Sequence, residues 1–284
     1  MKKKLEAWVI GGDGRYAWAA RQLRRDGMPV KCWGVPGMEN QAESLEAALE
    51  DADIVLLPMK PFRDESLIVC GEEIHASVLP DLLAKDAVLV AGSFPVEVES
   101  WLQTSGVRCV SFLELEGYLL SNAEITAEGG VYLLLHHLRR TLSGAKVLVI
   151  GYGRIGRFIA GKLRFLGADV TVSARRREQL AELNIRGYRA QRTGIYEDGL
   201  GGYDAVVNTV PGIIMTAEQG KSLKEDCVVL ELASLPGGFP EEMKKRSSII
   251  MGQALPGKTA PETAGKNLAE AVWSCLEGEG RTLE

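Results

Sequence analysis

Three glycines carry the clearest chemistry in this chain. They stand in Gly151-Tyr152-Gly153-Arg154-Ile155-Gly156, directly after the apolar run Val147 to Ile150. A helical pattern of Ile155, Phe158, Ile159, Leu163 and Leu166 follows at once. Strand, Gly-x-Gly-x-x-Gly and helix in that order form a turn able to cradle a pyrophosphate. Gly151 permits the tight turn, Gly153 lets the backbone approach phosphate oxygens, and Gly156 lets the helix pack closely on the strand. Arg154 and Ile155 open a helix whose free N–H groups and positive dipole end attract an anion. A second strand, Asp169 to Ser173, arrives where a βαβ unit needs it.

The end of that second strand selects among dinucleotides. A site for NAD places Asp or Glu there to hold the ribose 2′-hydroxyl. This chain has Ser173-Ala174-Arg175-Arg176-Arg177. A carboxylate would repel a 2′-phosphate, whereas a guanidinium grips it through two parallel hydrogen bonds. Arg175 and Arg176 are the candidate clamp, with Ser173 as a further donor. NADP is the expected cofactor and NAD the alternative. Thr209 and Pro211, after the strand Asp204 to Asn208, complete the cofactor-binding set.

The elements that position these groups alternate along the chain. In the first part, strands read at Leu5 to Ile10, Pro29 to Trp33, Asp53 to Leu57, Ala87 to Ala91 and Val107 to Ser111. Helices read at Tyr16 to Arg25, Glu43 to Glu50, Leu79 to Lys85 and Val96 to Ser105. Repeated β-then-α order implies an α/β fold with parallel sheets, whose ligands bind at the carboxyl ends of the strands. Asp13, Gly14, Arg15, Met59, Lys60, Ser93 and Phe94 stand at such ends. Asn122 to Arg140 carries a long helical pattern suited to a connector. After it come the fingerprint, a helix at Glu178 to Leu183, a weak strand near Gly187 to Ala190, and strands at Cys227 to Leu232 and Ser248 to Met251. Thr263 to Leu276 closes the chain as a helix, with Pro261 in its first turn.

The division expected is a substrate or partner domain over 1–120, a connector helix over 121–140, a dinucleotide domain over 141–258, and a C-terminal helix and tail over 259–284. That length suits two domains, and 46% hydrophobic residues supply ample core. Net charge is −5, so no global field draws nucleic acid or an anionic membrane. Met1-Lys-Lys-Lys precedes an apolar stretch of only Ala7 to Ile10, too short for a secretory signal. Five scattered cysteines without Cys-x-x-Cys spacing read as reduced thiols, so a cytoplasmic protein without a metal site is expected.

Several pieces also match one family in order. They are Gly11-Gly12-Asp13-Gly14-Arg15, Asn122 with Thr126-Ala-Glu128-Gly129, the Gly151 to Gly156 fingerprint, and Asn208-Thr-Val-Pro211. Ala233-Ser234-Leu-Pro-Gly237-Gly238 and Leu255-Pro-Gly257-Lys258-Thr259-Ala-Pro261 follow, and this last pair is the most specific. Along nearly the whole chain these motifs resemble the dipicolinate synthase A-subunit family of spore-forming bacteria. The resemblance implies two Rossmann-like doubly wound domains joined by the connector helix, with the C-terminal helix packing back across the cleft. It implies oxidation of dihydrodipicolinate to pyridine-2,6-dicarboxylate by hydride transfer to a nicotinamide cofactor. It further implies a partner, the flavoprotein-like B-subunit of dipicolinate synthase, in the cytoplasm of the mother cell. A homo-oligomer is expected by analogy with dinucleotide enzymes of this shape.

That chemistry requires holders for two carboxylates and an acceptor for one proton. Arg15, Gly14 and Ser93 are the expected holders from the first domain, and Ser234, Gly237 and Thr259 from the later part. Lys258 and His137 are the candidate catalytic residues, with Glu128 as a further proton acceptor. A D-2-hydroxyacid or alanine dehydrogenase-like activity is the first alternative. The hydroxyacid class needs an Arg just after the strand near residue 232 and a later His. Ala233-Ser234 stands there instead, and no histidine follows His137. A non-catalytic NADP-binding protein is the second alternative.

Overall fold

A computed structural model describes residues 5–50, 52–196, 199–244 and 249–277. The N-terminal lysines 2–4, the basic run beyond Lys244 and the tail from Gly278 lie outside the described residues. Two compact units result: residues 1–122 with 256–284, and residues 123–255.

The first unit begins with β1 (Ala7–Ile10), α1 (Gly14–Arg25), β2 (Val30–Trp33), α2 (Leu45–Leu49) and β3 (Ile54–Leu56). A hairpin insertion follows: β4 (Phe62–Arg63), β5 (Ser66–Val69) and β6 (Glu72–His75). Then come α3 (Leu79–Leu82), β7 (Val88–Ala91), α4 (Val96–Thr104), β8 (Arg108–Ser111) and the start of α5 (Glu116–His137). Five strands pair in parallel in the order β2-β1-β3-β7-β8. Side chains alternate across the sheet, as a period of two demands. Ala7 and Val9 join one core with α1, while Trp8 and Ile10 join another with α2 and α4.

The antiparallel sheet β4-β5-β6 is absent from the sequence reading. Its strands are short, and its turns use Asp64 and Cys70 at positive φ rather than the usual Asn-Gly pair.

The second unit continues α5 and adds β9 (Lys146–Ile150), α6 (Arg154–Phe165), β10 (Asp169–Ala174), α7 (Arg177–Ile185) and β11 (Arg189–Arg192). It ends with β12 (Ala205–Asn208), α8 (Ala217–Lys221), β13 (Val228–Glu231), α9 (Glu241–Lys244) and β14 (Ile249–Met251). Six strands pair in parallel in the order β11-β10-β9-β12-β13-β14. This is the doubly wound order, with the switch point between β9 and β12. Val147 and Val149 pack toward α5 and α6, and Leu148 and Ile150 pack on the opposite face. Each such fully buried apolar side chain is worth about 1.5–3 kcal/mol.

Helix α5 starts earlier than its apolar pattern suggests, because Tyr118 in its first turn packs edge-on against Phe112. The Leu-Pro-Gly-Lys-Thr stretch forms α10 (Leu255–Thr259) before α11 (Pro261–Glu277). The closing helix α11, set apart in the sequence reading, lies in the first unit against α1. Gly265 makes that crossing close: a Cβ there would stand 2.4 Å from Trp18 Cβ and 2.5 Å from the Arg15 carbonyl oxygen. Among the described residues, no helix is long and apolar enough to cross a membrane, and no cluster of His, Cys, Asp and Glu could hold a metal ion.

Candidate cofactor and substrate residues

The fingerprint turn occupies the carboxyl end of β9, beside the switch point. Gly151 adopts φ +100°, and a Cβ there would stand 2.5 Å from Thr209 Oγ1. At Gly156 a Cβ would stand 2.1 Å from the Gly151 carbonyl oxygen. The protein's own packing therefore demands both glycines. Gly153 differs. It caps α6 with ordinary negative φ and no side-chain hydrogen bond, and a Cβ there would meet nothing within 4 Å. The space above it is open at a helix N-terminus, where a phosphate is favoured. Arg154 and Ile155 open α6 beside it, Arg154 exposed and Ile155 packed partly into the core.

The neighbouring turns are tied to this one. Thr209 Oγ1 donates to the Ile150 carbonyl at 2.9 Å. Gln179 Nε2 of α7 donates to the Tyr152 carbonyl at 3.0 Å, and the Arg157 guanidinium lies 4.3 Å over the Tyr152 ring. Pro211 is exposed beyond Thr209.

At the end of β10, Arg175 and Arg176 are exposed, and neither guanidinium makes a hydrogen bond or ion pair among the described residues. Two uncommitted cations thus stand where a ribose 2′-substituent is read. Ser173 is not beside them. Its side chain is fully buried, and Ser173 Oγ accepts from Thr193 Oγ1 at 3.1 Å. Strand alternation turns it inward, away from the expected phosphate role.

The loop after β13 is built around a residue that the sequence reading missed. Glu231 is 2% exposed. Its Oε1 accepts from Asn208 Nδ2 at 2.8 Å and from the Ala233 N–H at 2.9 Å, and its Oε2 accepts from the Gly238 N–H at 2.8 Å. Ser234 is exposed on that loop and Gly237 is buried at φ +82°, facing the carboxylate. A glutamate ending an otherwise apolar strand, Val228-Val-Leu-Glu231, was the available signal.

In the first unit the Gly11 to Arg15 turn meets the start of α10. Arg15, expected to hold a substrate carboxylate, is 4% exposed and already engaged. Its Nε and Nη2 each donate at 2.9 Å to the two Asp13 oxygens. Burial opposes the Arg15 charge, but the hydrogen bonds and charge of Asp13 outweigh it and raise the guanidinium above its usual pKa. Asp13 also caps α1, accepting from the Arg15 N–H at 3.1 Å. A Cβ on Gly257 would lie 2.4 Å from Asp13 Oδ2, so α10 sits directly on this carboxylate. Tyr16, 2% exposed beside it, keeps its hydroxyl without a hydrogen-bond partner among the described residues, and burial raises its pKa far above the phenol range.

Gly14 is the first residue of α1, and Ser93 is half-buried after β7, its N–H donating to the Met59 carbonyl at 3.1 Å. Lys258 and Thr259 are exposed on α10. The burial that proton transfer by Lys258 called for is therefore absent.

His137 ends α5 and lines a cavity with Arg140, Asp204, Lys224 and Val228. These residues stand at the amino ends of the strands: the Asp204 N–H donates to the Lys146 carbonyl, and the Val228 N–H to the Asp204 carbonyl. The glycine turn lies at the carboxyl end of the same sheet. His137 is thus separated from the glycine turn by the length of β9, because α5 runs past the sheet toward its amino edge. Glu128 lies on α5 with its Oε2 3.7 Å from Lys162 Nζ.

Comparisons with known proteins place the family resemblance and the fold. The family described as the N-terminal domain of the dipicolinate synthase A-subunit matches residues 6–113, and that described as ketopantoate reductase PanE/ApbA matches 147–200. The dipicolinate synthase A-subunit of Bacillus subtilis is 28% identical, over 96% of both chains. The crystal structure of the dipicolinate synthase A-subunit from Bacillus halodurans superimposes with a TM-score of 0.79 at 26% identity, covering 97% of this chain and 99% of that one. A transhydrogenase from Sinorhizobium meliloti gives 0.68 at 18% identity, over 96% and 95% of the two chains, a likeness of fold.

Proposed function

We propose that the chain belongs to the dipicolinate synthase A-subunit family, which it resembles along nearly its whole length, and that it oxidises dihydrodipicolinate to pyridine-2,6-dicarboxylate, with NADP preferred over NAD. The observation that carries this reading is the turn at Gly153, open at a helix N-terminus, together with the two uncommitted guanidiniums of Arg175 and Arg176. When bound, the nicotinamide supplies the hydride acceptor.

The chain's own residues bind and orient. Gly151, Gly153 and Gly156 with the first N–H groups of α6 receive the pyrophosphate, and Arg175 and Arg176 take the 2′-phosphate. Thr209 and Pro211 lie across the switch point from Arg175, on the side that takes the nicotinamide half of a dinucleotide. Ser93, Ser234, Lys258 and Thr259 are the remaining candidates for the substrate carboxylates, with Arg15 withdrawn. Loss of hydride and a proton makes the ring aromatic, so positioning can carry much of the acceleration without a strong base. The proposal includes a flavoprotein-like B-subunit, a homo-oligomeric state and the mother-cell cytoplasm.

The test is nicotinamide reduction with freshly generated dihydrodipicolinate, using NADP or NAD, with and without the B-subunit. Formation of reduced NADP together with pyridine-dicarboxylate is expected. NADP binding with no reduction in any combination would replace the proposal with a non-catalytic cofactor-binding protein.

A further inference from the structure

We propose that Glu231 is a positioning residue that fixes the loop 233–238, and with it Ser234, at the β12–β13 half of the sheet's carboxyl edge. The inference rests on the oxidoreductase reading for its consequence in catalysis, but its geometry stands by itself.

A single buried carboxylate binds both ends of the loop, through the Ala233 and Gly238 N–H groups. Between those anchors Ser234, Leu235 and Pro236 are exposed. The base is fixed and the tip is presented. Glu231 also reaches the loop after β12. Asn208 Nδ2 donates to Glu231 Oε1 and to the Val210 carbonyl, while Asn208 Oδ1 accepts from the Val210 N–H at 2.9 Å. The two loops next to the switch point therefore share one reference group. Their packing is close: a Cβ on Gly238 would stand 2.4 Å from Asn208 Nδ2 and 3.0 Å from the Val210 and Gly212 carbonyl oxygens. The Gly238 carbonyl in turn accepts from the Ile214 N–H at 3.0 Å.

A buried carboxylate is a demanding way to close a loop, because the charge loses its water and must be repaid in hydrogen bonds. Its advantage is that it only accepts. At least three N–H donors among the described residues converge on its two oxygens, and no neutral isostere can serve them all. In Glu231→Gln the amide nitrogen must face either Gly238 N–H or the Ala233 and Asn208 donors, so at least one anchor is lost with no change in shape.

The decisive experiment is amide hydrogen exchange on the full chain without cofactor, comparing the parent with Glu231→Gln. Exchange over residues 234–238 should accelerate at least about tenfold, while β9 and α6 keep their protection. NADP affinity should move less than about threefold, since the phosphate turn and the β10 arginines are untouched. The kcat should fall about 10- to 100-fold, with a higher KM for the dicarboxylate. Gly237→Ala is the second variant, whose Cβ would stand 2.8 Å from Glu231 Oε2 at a positive φ. It should give the same local pattern if Glu231→Gln fails to fold. Unchanged exchange at 234–238, acceleration spread across the whole second unit, or unaltered kcat alongside local loosening would each overturn the proposal. A parent chain that never reduces NADP overturns the oxidoreductase reading instead, and the exchange result still decides whether Glu231 fixes the loop.

Discussion

Two strand–turn–helix corners of this molecule begin alike and end differently. Gly11-Gly12-Asp13-Gly14-Arg15 leads from β1 into α1, and Gly151-Tyr152-Gly153-Arg154-Ile155-Gly156 leads from β9 into α6. Both offer a helix N-terminus at the carboxyl edge of a parallel sheet. In the first, the capping residue is an aspartate whose carboxylate fills the anion position, held by Arg15 and covered by Gly257. In the second, the capping residue is a glycine with open space above it. The same helix dipole is answered internally in one unit and left for an external anion in the other. What separates a filled corner from an open one is one carboxylate.

The strongest way to break the second corner is Gly156→Val. With a Cβ 2.1 Å from the Gly151 carbonyl oxygen, the variant should lose about 3 kcal/mol or more of stability, seen as a collapsed thermal transition of the second unit. Normal melting would show that α6 can shift freely.

Gly153→Asp transplants the cap of the first corner into the second. Melting should be preserved, since a Cβ meets nothing within 4 Å and aspartate is a good N-cap. Binding of both NADP and NAD, followed by calorimetry, should weaken about 100-fold, or about 2.8 kcal/mol. Retained affinity would place the cofactor elsewhere.

Replacing Arg175 and Arg176 together by alanine sharpens the contrast further. NADP should bind about 10- to 30-fold more weakly, about 1.4–2 kcal/mol, with NAD unaffected. Equal loss for both cofactors would reduce these arginines to a general electrostatic role.

In the first corner, Arg15→Ala should lower stability by about 1.5 kcal/mol, because charge-assisted hydrogen bonds are lost while Asp13 stays partly in water. NADP affinity should not move. A raised KM for the dicarboxylate with unchanged melting would instead return Arg15 to the substrate.

The smallest effect belongs to Asp204, at the amino edge of the second sheet. Burial would raise its pKa, but Lys224, the Lys146 N–H and Arg140 together hold it below the usual carboxylate value. A depressed folded pKa gives stability that is full above the unfolded pKa, near about 4, and is lost as pH falls through the folded value. Asp204→Asn should therefore flatten the acid limb of a melting-temperature profile and leave its neutral shape unchanged.

Local pattern made one corner legible and the other not. Gly151, Gly153 and Gly156 lie within six residues of one another, and their meaning follows from backbone sterics and a helix dipole, both local. The alternation of strands and helices was legible for the same reason, since a buried parallel strand announces itself as a short apolar run. The hairpins of β4 to β6 were not, because their strands are short and their turn residues atypical. Ser173, read as a donor, depended on which face of β10 it takes, and the core claimed it.

By itself, then, the sequence determined the α/β fold, the glycine-rich turn after β9 and the cationic end of β10, because each is specified by neighbours along the chain. Only the tertiary structure decided who partners whom. Gly257 reaches Asp13 because α10 folds back onto the first turn. His137 falls at the amino edge of the sheet because α5 runs past it. Glu231 meets Asn208 across 23 residues because β12 and β13 pair in register, Asn208 against Glu231. A buried polar side chain takes its role from the donors that packing brings to it, and those donors lie on other elements of the fold.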